Sequence, residues 1–415
     1  MTSLTSQRPR RPTSKRRRAL PFLAVLGPGL LAGLSDDDPA GITTYSVLGA
    51  DHGYQLLWVL LLSTLALMVF HDLGARLGVV TGQGLIGLIR HRYGVGVGAA
   101  ALVTLVVANQ GTATAEFAGI AAGAELLGVS RYLAVPVSAV VVCSLVLAGS
   151  FHRVEHVLMG LAAVFVAYVG AGVLAHPDWS AALAGLTSPR MSFGPADTAI
   201  VAATVGTTLA PWGLSFIQSY AVDKKLTVAD LSYERTDVVL GALLTGVIGF
   251  FVVVACAATL HRENIPITSA QDAALALAPL AGDLAGTFFA VGLIGAALLA
   301  AAVLPLSTAY SICDFTGAEA ALDCSFDQAR LFYVSNVVVT ALAAGVVMVP
   351  SVPLIPLLVS TQMLNAILLL PLLVLMQRLS RDPSILGTHV VSKRWAGVQL
   401  VVVVAVFACV GLLLV

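Results

Sequence analysis

Charge is what this chain has least of. Only 11% of its 415 residues are Asp, Glu, Lys or Arg, against roughly 25% in an ordinary soluble domain. Cysteine is scarce as well. Cys143, Cys256, Cys313, Cys324 and Cys409 stand alone, with no CxxC pair and no histidines at zinc spacing, which removes a disulfide framework or zinc module and leaves them as small apolar residues in or beside helices. There is no nucleotide-binding loop, so ATP energy is not indicated, and the aspartates lack the separated, GxGD-type setting of an intramembrane aspartyl protease. Nothing reads as an enzyme or as a resident cofactor site. The first apolar run is too long for a signal peptide and no A-x-A site follows it. What is present in abundance is hydrophobic sequence, 58% of all residues, in recurring runs of about 20, the length a helix needs to cross the hydrocarbon core. The composition is that of an all-α, multi-pass integral membrane protein.

Apolar stretches set against charged or Gly/Pro-rich breaks predict eleven spans, at 21–49, 54–74, 97–127, 133–149, 155–175, 197–220, 237–259, 284–311, 331–350, 353–376 and 396–415. The first 18 positions hold seven basic residues and no acidic one. Next to a first span such an arm marks the cytoplasmic side rather than a nucleic-acid partner, and it is suited to anionic lipid headgroups. With residues 1–20 inside, nineteen of the 22 basic residues fall on the cytoplasmic side and only Arg131, Arg190 and Arg262 outside. The expectation is a cell-membrane protein with a cytoplasmic N-terminus and an extracytoplasmic C-terminus, a monomer or weak homo-oligomer.

Two spans are interrupted. Span one contains SDDDPAG, and span six contains Gly206, Thr207, Thr208, Pro211 and Gly213. Proline removes a helix hydrogen bond, and in lipid the freed backbone groups must find other partners. Five spans separate the two breaks, so the halves would sit in opposite orientations. Matching interruptions in two halves point to a transporter site built from discontinuous helices. We read residues 21–176 and 197–377 as an inverted repeat of five helices each, with 396–415 as an added eleventh helix.

Charged groups at membrane depth face a cavity, a partner or an ion. No basic residue lies within the apolar interior of spans one or six, so a transported cation is the natural counter-charge. Oxygen ligands suit magnesium, calcium or manganese. Successive helix positions point about 100° apart, so Asp36, Asp37 and Asp38 cannot share one role. Asp38, before the proline, is placed to reach a central cavity. Asp36 and Asp37 line the approach, ligate directly, or cap unwound backbone. Glu116, mid-span in helix three among small residues, either lines the path or bonds between helices. Glu155 reads as an ion pair at the cytoplasmic start of span five. Gln362 and Asn365 in span ten offer amide oxygens either to the site or to neighbouring helices.

The stretches GPGLLAGLSDDDPAGI, GADHGYQLLWVLLLSTLALM, ARLGVVTGQGL and VGTTLAPWGLSFIQSY resemble the Nramp divalent-metal transporters. The resemblance runs over spans one to ten and is strongest in spans one to three and six. It implies a LeuT-type fold, with metal bound midway between broken helices one and six. Carbonyls near Ser35 and Thr207 would then add oxygens to Asp38. The departures carry information. Typical members read DPGN and MPH at the breaks; here DPAG keeps Asp38 but puts Gly41 in place of the ligand Asn, and APW puts Ala210 in place of the ligand Met and Trp212 in place of the His. Trp212 reads as packing. Ala113 replaces an acidic residue three before Glu116. A thioether favours softer metals, and Mg2+ keeps several waters when bound, so a roomier oxygen site suits hydrated Mg2+. These replacements are similar to those of the Nramp-related magnesium transporters, which implies Mg2+ uptake, with Mn2+ as a second substrate and no proton coupling. The alternative is a proton-coupled Mn2+/Fe2+ transporter of the ordinary Nramp type.

Overall fold

The structure, a computed structural model, describes residues 32, 33, 35–147, 167–190, 194–320, 325–411 and 413. The arm at 1–20, residues 21–31 and 34 of span one, Glu155 and Cys324 lie outside the described residues. Every regular element among those described is helical. In chain order the main helices are α1 (Pro39–His52), α2 (Leu57–Thr81), α3 (Leu85–Tyr93), α4 (Val95–Leu126), α5 (Arg131–Leu147), α6 (Ala167–Leu174), α7 (Trp179–Thr187), α8 (Pro195–Thr208), α9 (Pro211–Asp223), α10 (Leu231–Cys256), α11 (Ala285–Thr316), α12 (Arg330–Val347), α13 (Leu354–Leu379) and α14 (Lys393–Gly411). Among the described residues, eight helical stretches, α8 and α9 counting as one, are long and apolar enough to cross a membrane. With the shorter apolar α5 and the described parts of spans one and five, α1 and α6, they account for the eleven expected spans. Valine and leucine side chains such as Val103, Val140, Leu342 and Val401 remain exposed on the outside, as a lipid-facing surface requires.

Both expected breaks are present, and both have one construction. Asp38 is extended (φ −80°, ψ 170°) with Pro39 as the first residue of α1; Ala210 is extended (φ −70°, ψ 139°) with Pro211 as the first residue of α9. Proline at that position orphans no donor and has its φ already set for the helix. Proline alone does not make a break, for Pro136, Pro305 and Pro371 lie inside continuous helices. The extended residue before it is the difference.

Three features exceed the sequence reading. Residues between spans two and three form α3, those between spans five and six include α7, and α10 begins at Leu231, well before 237, running into a π-turn at Ala257–His261. Charged or Gly/Pro-rich residues in and around these segments had marked them as breaks between spans. A helix continues past the hydrocarbon wherever its charges find partners, as Arg235 does on Asp72 at 2.6 Å.

Contacts sort the connecting segments onto two ends of the bundle. On one, Arg76 bonds the His389 carbonyl, Arg90 the Phe315 carbonyl, and Arg92 the Asp382 carboxylate. On the other, Arg131 reaches the Val352 carbonyl, Trp58 the Arg190 carbonyl and His261 the Ala50 carbonyl. The groups are those the span count places on opposite sides. Asp382, at the first end and outside the spans, is held down to about 2 by hydrogen bonds from Ser384 and then by Arg92. Its folded pKa lies below its ordinary carboxylate value, so its contribution is complete above the unfolded pKa of about 3.9 and is lost as pH falls toward 2. Asp382→Asn is therefore expected to lower the melting temperature at pH 7, with the difference from wild type shrinking below about pH 4. A thermal melt at several pH values reads this.

Candidate metal site

The first break and the neighbouring α4 together place four carboxyls in the interior. Asp36 and Asp37 are 2% exposed, Asp38 4% and Glu116 0%. Asp38 is the capping residue: its Oδ1 accepts from the Gly41 N–H at 2.5 Å. The Glu116 carboxyl lies close enough for the two groups to interact electrostatically. Capping was one role open to Asp36 and Asp37, yet among the described residues all four of their carboxylate oxygens are buried without a partner, as are both oxygens of Glu116. Ionised groups in that condition cost several kcal/mol each, so a proton or a cation is needed to balance them. Glu116 reaches the break because α4 passes close beside it; one turn on, a Cβ on Gly119 would collide with the Pro39 ring.

The second break meets the first over Gly41. A Cβ built there would lie 2.9 Å from the Asp36 carbonyl oxygen, 3.2 Å from Asp38 Oδ1 and 3.3 Å from Thr207 Oγ1. Three oxygens of different kinds therefore surround one point that glycine leaves empty of side chain. The Thr207 hydroxyl has no partner among the described residues, and neither does the buried Ser35 hydroxyl. Ala210, 2% exposed, presents only a methyl group at the second break. Among the described residues no three His, Cys, Asp or Glu side chains converge to hold a metal ion. Any ion here takes hydroxyl, carbonyl or water oxygens beside its carboxylate. Asp37 is buried in the same segment but is not one of the three oxygens over Gly41.

The Gln362 side chain is hydrogen-bonded within α13. Its Oε1 accepts from Asn365 Nδ2 at 2.9 Å, and Asn365 Nδ2 also donates to Thr112 Oγ1 at 2.8 Å. This amide network ties α13 to α4 and leaves Asn365 Oδ1 as its unpartnered acceptor. The Gln362 backbone meets α8 directly, where a Cβ on Gly206 would collide with its carbonyl oxygen. Trp212 packs as expected, its ring 5.9 Å from that of Phe216. One residue escaped the sequence reading. His71 of α2 is buried, both ring nitrogens lack partners, and Nε2 lies 3.0 Å from where a Cβ of Gly213 would be. The available signal was a lone histidine inside an apolar span.

The family model described as "Natural resistance-associated macrophage protein-like" (Nramp) matches residues 29–415. The chain is 30% identical over 301 residues to the divalent metal cation transporter MntH of Verminephrobacter eiseniae, covering 70% of this chain and 68% of that one. The crystal structure of the Eremococcus coleocola manganese transporter with an aromatic bis-isothiourea substituted compound superposes with a TM-score of 0.76 at 20% identity, covering 93% of this chain and 85% of that one. Mhp1, a nucleobase-cation-symport-1 family transporter in a closed conformation, gives a TM-score of 0.50 at 14% identity, covering 94% and 91%. At those identities the structural likeness carries the fold alone, and it bears out the LeuT-type architecture with broken helices one and six.

Proposed function

The chain belongs to the Nramp family, and from that premise we propose that it carries divalent metal ions across a membrane by alternating access, chiefly Mg2+, with Mn2+ as a second substrate and without proton coupling. One observation carries the choice of Mg2+: the point over Gly41 is ringed by a carbonyl, a carboxylate and a hydroxyl oxygen, and Ala210 offers a methyl at the second break. A hard, oxygen-only surround leaves no reason to reject Mg2+. Asp38 supplies the charge, Glu116 lies beside it, and the Asp36 carbonyl and Thr207 hydroxyl hold water or metal. Ser35, Ala210 and Asp37 shape the surround, and the Gln362–Asn365–Thr112 network holds α13 and α4 in place. With Trp212 where typical members have histidine and Ala113 where they have an acid, a proton route lacks two of its groups.

The basic residues favour a cytoplasmic N-terminus and an extracytoplasmic C-terminus, with residues 21–176 and 197–377 as the two repeats. A second reading is proton-coupled transport of Mn2+; the relatives' names, which specify divalent metal cations and manganese, favour its metal.

Purified protein in liposomes separates the two. With a magnesium-sensitive dye and, separately, a pH-sensitive dye inside, and a fixed inside-negative potential, saturable Mg2+ influx without acidification is expected. Mn2+ influx with proton entry and no Mg2+ influx would establish the second reading instead.

A further inference from the structure

His71 has no part in the oxygen ring over Gly41. It stands on α2, 1% exposed, with Nδ1 and Nε2 both unpartnered among the described residues. A buried imidazole ordinarily gives its N–H to an acceptor, and a buried polar atom left without a partner is destabilising. The ring instead occupies a notch made by Gly213 in the first turn of α9. A Cβ on Gly213 would lie 3.0 Å from His71 Nε2 and 3.9 Å from Asp36 Oδ1. Asp36 is itself buried with both carboxylate oxygens unpaired. An unused nitrogen and an unused carboxylate, from α2 and from the first break, thus face one gap whose third wall is glycine. The gap is held by rigid elements. Two turns along α2 from His71, a Cβ on Gly78 would lie 2.5 Å from the Gln218 carbonyl oxygen, so α2 and α9 are packed backbone to backbone.

We infer that Asp36 and His71 form a second, transient cation position beside the one over Gly41, with a preference for divalent transition metals of the Mn2+ and Co2+ class over Mg2+. The inference rests on the reading of the chain as a divalent-metal carrier. Imidazole nitrogen is a good ligand for first-row transition metals, whereas Mg2+ keeps to oxygen and water. The ring over Gly41 contains only oxygens, so His71 is the group by which the two kinds of ion are told apart along the path. Two protein ligands leave the other positions to water, which makes the ion easy to release. The gap lies on the α9 side of the break, the cytoplasmic side in the proposed topology, so an incoming ion meets it after Gly41.

Pulsed EPR of Mn2+ bound to the purified full chain tests this without transport. Nitrogen-14 modulation from a ligated imidazole is expected in wild type and is expected to disappear in His71→Gln. Should His71→Gln not fold, Gly213→Ala fills the notch while keeping the ring, and is expected to weaken the modulation. Its absence from wild type, or its persistence in the variants, overturns the site. In liposomes the ratio of Mn2+ to Mg2+ influx is expected to fall on the order of tenfold in His71→Gln, and an unchanged ratio overturns the preference. Failure of wild type to move either ion would overturn the transport reading instead, with the EPR result still deciding the site.

Discussion

Asp38→Ala is expected to reduce Mg2+ influx to the level of empty liposomes. Asp38 does two separable things. It caps α1 through the Gly41 N–H, a contact whose loss costs about 1 kcal/mol, and it brings a full charge to the point over Gly41. Attraction between unit charges about 4 Å apart near a protein surface is about 4 kcal/mol, roughly a thousandfold in occupancy. The charge should therefore dominate. Asp38→Asn separates the roles, because asparagine caps as well as aspartate but carries no charge. We expect Asp38→Asn to melt near the wild-type temperature yet to transport no better than Asp38→Ala. Substantial influx through Asp38→Asn would reduce Asp38 to a structural cap and move the ion elsewhere.

Gly206→Ala is expected to lower the melting temperature in detergent and to abolish transport. The added methyl would collide with the Gln362 carbonyl oxygen and lie 2.6 Å from the Ala366 nitrogen. These are backbone atoms of α13, which cannot rotate out of the way, so α8 and α13 must move apart. Overpacking of this kind costs about 1–3 kcal/mol. In a membrane the loss is felt fully, because close backbone approach through small residues is a main source of helix association there. The displacement also carries Thr207, the next residue, away from Gly41 and Asp38. Gly345→Ala is the control, since a Cβ there meets nothing within 4 Å, and its melting temperature should match wild type. Equal melting of both variants would mean that α8 and α13 do not pack as described.

Much of this protein was legible in one dimension. Hydrophobic runs of bilayer length fixed the number and approximate limits of the spans, because a backbone in lipid must satisfy its own hydrogen bonds and does so most simply as helix. Asp38–Pro39 and Ala210–Pro211 marked the breaks, because proline and an extended residue before it interrupt a helix wherever they fall. Gly41 and Ala210 stand where the resemblance to the Nramp family implies an Asn and a Met. Helix ends beyond the hydrocarbon, such as the start of α10, were misread because a charge at a helix end looks like a loop until its partner is known, and Asp72 is 163 residues from Arg235. Only the tertiary structure decided how the three aspartates divide their work. Asp38 takes the cap, the Asp36 carbonyl turns toward Thr207 and Gly41, and the Asp36 side chain faces His71 and Gly213. Likewise it turned Gln362 toward Asn365, which also bonds Thr112, and brought Glu116 near Asp38. These assignments join α1, α2, α4, α8, α9 and α13, and which buried polar atoms acquire partners depends on which helices touch, a property of the packed bundle that neighbouring positions in the chain do not contain.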